Sequence, residues 1–211
     1  SAMLFTNDKI DRLFLKGEKL PQSKSIVMIN GQGKTLLPGL IDAHGHILSY
    51  GLSLMQANLG GTVSENAAVK AAVKYAKLNP EISWVQGRGW NQVQWPSKEF
   101  PMAQSLDKFF PNTPVWLRRV DGHAGWANTK AMELAGITSS TKSPTGGAII
   151  RDKNGKPTGV FIDNAMDLIS KSIAPLTDQE KKVVLKKALN KLASYGLTSV
   201  HDAGINSENL A

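Results

Sequence analysis

Short apolar runs alternate along this chain with longer amphipathic segments. Thr35-Leu-Leu-Pro-Gly-Leu-Ile-Asp-Ala-His44 is almost continuously apolar and is broken only by Pro38-Gly39. That pattern predicts a turn into a buried strand from Leu40 to Ala43. Upstream, residues 10–36 read as short strands and turns, with Ser25-Ile-Val-Met-Ile-Asn30 strand-like ahead of Gly31-Gln-Gly33. Ser64 is a suitable N-cap for a helix carrying Ala67, Ala68, Ala71, Ala72, Tyr75 and Ala76, stopped by Asn79-Pro80. Trp84-Val-Gln86 and Pro114-Val-Trp-Leu-Arg118 predict short strands, and Asn128 to Ala135 a helix that Gly136 ends. Residues 147–151 and 158–162 flank Lys153-Asn-Gly-Lys156, where Asn154-Gly155 signals a hairpin. Thr177-Asp-Gln-Glu180 is a capping box. It opens a helix that Gly196 terminates, and Leu197-Thr-Ser-Val200 is the next strand, leading into His201-Asp-Ala-Gly204. A helix followed by a strand is the beat of a parallel α/β sheet. The chain holds no internal repeat and no low-complexity tract.

Composition narrows the class. With 211 residues and 41% hydrophobic content, the chain can bury a core as one domain or two small ones. The absence of cysteine excludes disulfides, thiolate metal sites and a cysteine nucleophile. Much of the net charge of +8 comes from Lys181, Lys182, Lys186, Lys187 and Lys191. They share the last predicted helix with Val183, Val184, Leu185, Ala188, Leu189 and Leu192, so a solvated helix face accounts for them. A nucleic-acid groove would interleave arginines and aromatics with the lysines, and only five arginines occur in the whole chain. We therefore expect no nucleic acid as partner. No apolar stretch approaches the ~20 residues of a membrane helix, and no secretory signal is visible. A cytoplasmic protein is favoured on these grounds. Ser1-Ala2-Met3 resembles a tag-removal scar, so a lost leader would make it periplasmic.

The chemistry concentrates in Asp42-Ala-His44-Gly-His46. On a strand, residues i and i+2 leave the same side, so His44 and His46 can aim two imidazoles at one point. The intervening glycine leaves room for the approach. Neutral imidazole is a common ligand for zinc and its neighbours. The bland alternative is a strand-edge pair of hydrogen-bonded histidines.

Leu37-Pro-Gly-Leu-Ile-Asp-Ala-His-Gly-His46 resembles the metal-binding signature of the amidohydrolase superfamily. Later segments narrow the resemblance to the amidohydrolase 3 family, which includes N-substituted formamide deformylase-like enzymes. Trp84-Val-Gln-Gly-Arg-Gly-Trp90-Asn is similar to that family's Trp-x-x-Gly-x-Gly-Trp stretch. Pro114-Val-Trp-Leu-Arg-Arg-Val-Asp-Gly-His123 is similar to its Pro-Val…Asp-Gly-His segment, and Ala127-Asn-Thr-Lys-Ala131 to the helix after it. Pro144-Thr-Gly-Gly147, Pro157-Thr-Gly159 and Gly196-Leu-Thr-Ser-Val-His-Asp-Ala-Gly204 also match, in family order.

The resemblance implies a (β/α)8 barrel beside a small β-sandwich, one or two divalent metals with zinc first, and hydrolysis of an amide-type C–N bond. A metal in such a site acidifies bound water and polarises the scissile carbonyl. It also implies further histidines on the fifth and sixth barrel strands and a basic aspartate on the last. Only His44, His46, His123 and His201 occur here. The expectation is a fragment of about 40% of an enzyme whose barrel alone takes ~250 residues. Its fold class is α/β: the first strands of the barrel, an inserted α+β region and a remnant of the sandwich. The corresponding segments are 3–36 for the remnant, 37–59 for the first barrel strand, 60–176 for the insertion and 177–211 for a barrel helix with the second strand. Metal would be weak or absent in the fragment, and the fragment inactive.

Other residues have two readings each. His123 and Asp121 belong to a substrate pocket or anchor a loop between a strand and a helix. Trp90, with Trp95, lines an apolar pocket or packs a core. Asp202 backs a ligand histidine or caps a turn. Asp163 caps the helix that follows it, and Asp42 orients a histidine or caps a turn. The expected partner is a small amide-like substrate. An open barrel edge would expose apolar faces, so homo-oligomers are expected as well. The rival class is a non-catalytic binding or assembly domain of the same fold.

Overall fold

The computed structural model describes residues 1–205. The chain divides into two units, Ser1–Pro38 and Gly39–Ala211.

The first unit is built on a hairpin. Strands β1 (Ala2–Thr6) and β2 (Lys9–Phe14) pair antiparallel. Asn7 and Asp8 between them both take positive φ, 49° and 63°, as a tight primed turn requires. Phe14 is the buried anchor. The strand predicted over Ser25–Asn30 is not formed, and Val27, Met28 and Ile29 are exposed. Strand propensity needs a pairing edge to express itself, and among the described residues none pairs with this segment.

The second unit holds two sheets. Strands β3 (Leu40–Gly45) and β10 (Leu197–Asp202) form a parallel pair. Helix α1 (Ile47–Ser53) follows β3, and α6 (Asp178–Ala193) leads into β10. The capping box of Thr177 and Glu180 is present at the start of α6. The two helices cross closely at Gly51, where a Cβ would lie 2.5 Å from the Val184 carbonyl oxygen. On α6 only Val184 and Ala188 are buried; Val183 and Leu189, expected on its inner face, are about half exposed. Leu40 and Ile41 are exposed too, at 56% and 63%. The buried strand read from the apolar run is therefore corrected: among the described residues β3 has a single strand neighbour, and none of its own residues is buried.

The larger sheet has six strands in the order β4-β5-β6-β7-β9-β8. They are β4 (Ala57–Asn58), β5 (Val85–Trp90), β6 (Val115–Arg119), β7 (Ala124–Ala127), β8 (Gly147–Arg151) and β9 (Pro157–Asp163). The β4–β5–β6 half is parallel and the rest antiparallel. One core joins Val85, Trp90, Leu117 and Trp126 to Ala68, Val69 and Ala72 of α2 (Glu65–Leu78). Another core joins Trp116, Ile149 and Phe161 to Ala103 of α3 (Ala103–Asp107), Ala131 and Met132 of α4 (Thr129–Leu134), and Ile169 of α5 (Asp167–Ser170). Strand alternation explains the division: Trp116 falls in one cluster, its neighbours Val115 and Leu117 in the other. Among the described residues no helix is long and apolar enough to cross a membrane.

Candidate functional site

Strand β3 ends at Gly45, so His46 is not a strand residue; it is the N-cap residue of α1 and makes no side-chain cap. Its ring nevertheless meets that of His44. The centroids are 5.3 Å apart with planes at 85°, and both residues are exposed. Gly45 is required by packing, because a Cβ there would lie 2.5 Å from Val200 Cγ1 on β10. Asp42 Oδ1 accepts the His44 backbone N–H at 3.0 Å, so Asp42 fixes the main chain at His44 rather than its ring.

Asp202 does the capping that His46 does not. Its Oδ2 accepts the Ile47 N–H at 2.8 Å, across 155 residues of sequence, and its Oδ1 accepts the Gly204 N–H at 2.7 Å. The Gly204 and Ile47 amides, with His46 nearby, hold the Asp202 carboxyl below the usual carboxylate range. Gly204 also hems in His46, where a Cβ would sit 2.3 Å from Nδ1. Among the described residues no group of three or more His, Asp or Glu could hold a metal ion. Two exposed imidazoles fit part of a metal sphere, since zinc takes three or four protein ligands.

His123 lies in the connection from β6 to β7 of the six-stranded sheet. It precedes β7 rather than a helix, because the Ala124–Ala127 strand intervenes. Its Nδ1 is 2.8 Å from Asp163 Oδ1, and its backbone N–H donates to Asp121 Oδ1 at 3.0 Å. Asp121 is clasped by Arg119 at 2.7 Å, and that guanidinium is the main cause of its lowered pKa. Asp163 does not cap the following helical turn by its side chain, contrary to expectation. Its carboxylate meets His123 instead, and its backbone stands at φ 47°, ψ −123°. For a non-glycine residue that backbone costs about 1–3 kcal/mol. Trp90 has no exposed surface and donates Nε1–H to the Leu117 carbonyl at 2.7 Å. Its centroid lies 6.1 Å from Trp95 and 6.3 Å from Trp126. This is the packing reading of Trp90, not a residue on an open pocket wall.

Three features had no sequence signal strong enough to name them. They are the Asp202–Ile47 stitch, the Asp163–His123 pair, and an in-register row of Asn58, Arg88 and Arg118 across β4, β5 and β6. The row was detectable only as two arginines near the ends of predicted strands.

Residues 27–211 match the amidohydrolase family. This chain belongs to that family. The amidohydrolase chain is 40% identical over 179 residues to the protein LONG AFTER FAR-RED 3 of Arabidopsis thaliana, covering 83% of itself and 30% of that protein. It is 28% identical over 200 residues to the N-substituted formamide deformylase of Arthrobacter pascens, covering 92% and 36%. A solved structure of a metal-dependent hydrolase from Pyrococcus horikoshii OT3 superposes with a TM-score of 0.58 at 25% identity, covering 82% of this chain and 32% of that one. The chain thus spans about a third of the length of these relatives. The family read from the motifs is borne out, and the mixed α/β fold is similar to part of a metal-dependent hydrolase structure.

Proposed function

We propose that this amidohydrolase segment supplies the first two metal ligands, His44 and His46, of an enzyme that hydrolyses an amide-type C–N bond. The observation that carries the reading is the meeting of two exposed imidazoles 5.3 Å apart at the end of β3. Zinc suits nitrogen ligands first among the divalent ions, and such an ion acidifies a water and polarises a carbonyl. The chain's own residues do the positioning. Asp202 anchors the start of α1 directly after His46, and Asp42 fixes the His44 backbone. Asp121, His123 and Asp202 are the residues we assign to contact with a small amide-like substrate in the longer protein.

Helix α6 leading into β10, parallel to β3, is one α/β step of a (β/α)8 barrel. The exposure of Leu40 and Ile41 supports further strands in the longer protein. The remaining ligands and the general base belong to those strands, so the segment alone holds metal weakly and turns over nothing. Its open faces make self-association the expected outcome, and a monodisperse monomer in light scattering would contradict that.

The partial ligand set among the described residues favours one second reading, a non-catalytic binding or assembly domain of amidohydrolase-like fold. The discriminating experiment measures metal content and hydrolysis of N-substituted formamides in a full-length protein carrying this segment. Loss of both in His44→Ala and His46→Ala supports the enzyme. Unchanged metal and turnover in those variants contradicts it, and a folded, metal-free full-length protein favours the second reading.

A further inference from the structure

Three of the five arginines have their charge or donors met inside the chain. Arg12 pairs with Glu18 and Arg119 with Asp121. Arg151 donates to the carbonyls of Ser139, Thr141 and Gly155. The other two, Arg88 and Arg118, are direct neighbours on the parallel strands β5 and β6. Adjacent strands lie about 4.8 Å apart, and paired residues share a face. Both side chains are exposed, and among the described residues neither has a carboxylate within salt-bridge distance. The single hydrogen bond of Arg118 is long, 3.5 Å to the Gly122 carbonyl. Partial burial, and then repulsion from Arg88, lowers the Arg118 pKa.

The row continues with Asn58, in register with Arg88 on β4 and also exposed. Its Oδ1 already accepts the Gly60 N–H at 2.9 Å, so what it presents is its amide N–H pair. On the other flank stands Gly125, opposite Arg118 on β7. It has no side chain, and the Trp116 ring fills its Cβ space. The result is a flat row of side-chain donors carrying two like charges, met among the described residues by no carboxylate and only by the long contact of Arg118 to the Gly122 carbonyl. Such a row is completed by an anion, because guanidinium forks match planar oxyanions.

We infer that Asn58, Arg88 and Arg118 form a binding site for the carboxylate group of a small organic acid. A carboxylate is favoured over a phosphate because phosphate cradles recruit backbone amides of turns or helix N-termini. The donors in this row are all side chains on a pleated surface. The site stands apart from the metal reading and is testable without any metal.

The test is a nuclear magnetic resonance titration of the chain, with chelator present, following the Arg side-chain Nε–H and backbone signals. The probes are N-acetylglycine, its uncharged amide N-acetylglycinamide, and inorganic phosphate. N-acetylglycine is expected to shift Asn58, Arg88 and Arg118 saturably, and N-acetylglycinamide is not. Arg88→Gln and Arg118→Gln should each weaken binding by about tenfold or more, the loss of one charge-assisted hydrogen bond. Arg118→Lys keeps the charge without the fork and should fall between, while Lys130→Gln on α4 should match the parent. Dispersed spectra of each variant establish that it is folded. The inference is overturned if N-acetylglycinamide binds as well as the acid, or if both glutamine variants bind normally. It is equally overturned if phosphate occupies the row at lower concentration, or if N-acetylglycine leaves these signals unmoved.

Discussion

The parallel pairs β5–β6 and β3–β10 belong to the same unit and both end in candidate chemistry, yet they are held in opposite ways. Along β5 and β6 the residues Val85, Gly87, Trp90, Val115, Trp116 and Leu117 are buried. Along β3 and β10 not one residue is. The arginine row sits on a sheet with packed cores, whereas the histidine pair sits on a strand held by local stitches, chiefly Asp202 to Ile47 and the Gly51–Val184 crossing. The lesson is that stability and the metal-binding signature occupy different parts of this segment. Substitutions should separate them.

The largest effect is expected at the packed sheet. Trp90→Ala empties a fully buried site and frees the Leu117 carbonyl. It should cost about 3–5 kcal/mol in urea unfolding followed by circular dichroism; a cost below about 1 kcal/mol would erase the contrast between the two pairs. Next comes the helix crossing beside the histidine strand. Gly51→Val drives a side chain into the Val184 backbone and should cost about 1–3 kcal/mol, with loss of hydrogen-exchange protection concentrated in α1 and α6.

Asp202→Ala should cost about 1 kcal/mol, as the loss of a helix cap does. Here pH gives the sign. The Asp202 pKa is lowered in the folded chain, so its contribution is complete above the unfolded value of about 3.9. It fades as pH falls through the lower folded value. Parent and variant should therefore differ at neutral pH and converge in acid; a gap that widens on acidification would refute the stitch. The smallest effect is at the signature itself. His44→Ala and His46→Ala remove exposed rings and should change stability by no more than about 0.5 kcal/mol.

Local signals in the sequence were the legible ones. The capping box at Thr177 and Glu180, the Asn128 cap of α4 and the Gly155 turn of the β8–β9 hairpin are settled within four or five residues. The proximity of His44 and His46 was expected from two-residue strand spacing; the rings do meet, but with His46 off the strand as the N-cap residue of α1. What failed depended on distant partners. Ala124-Gly-Trp-Ala127 has no apolar alternation and becomes β7 because β6 and β9 flank it. Ser25–Asn30 has a strand-like apolar run and, among the described residues, no strand to pair with. The Asp202–Ile47 bond spans 155 residues, and nothing in the letters around Asp163 announces a positive φ. Leu40 to Ala43 reads as buried because its apolar content is that of a covered strand, and none of the described residues covers it.

The most direct test of the central reading is a zinc titration of the chain, followed through the ring signals of all four histidines and by calorimetry. The account predicts weak binding in which His44 and His46 respond together, at the same zinc concentration, and either alanine substitution abolishes the response of the other ring. Stoichiometric sub-micromolar binding, or zinc that acts on His123 and His201 while leaving His44 and His46 unmoved, would contradict it.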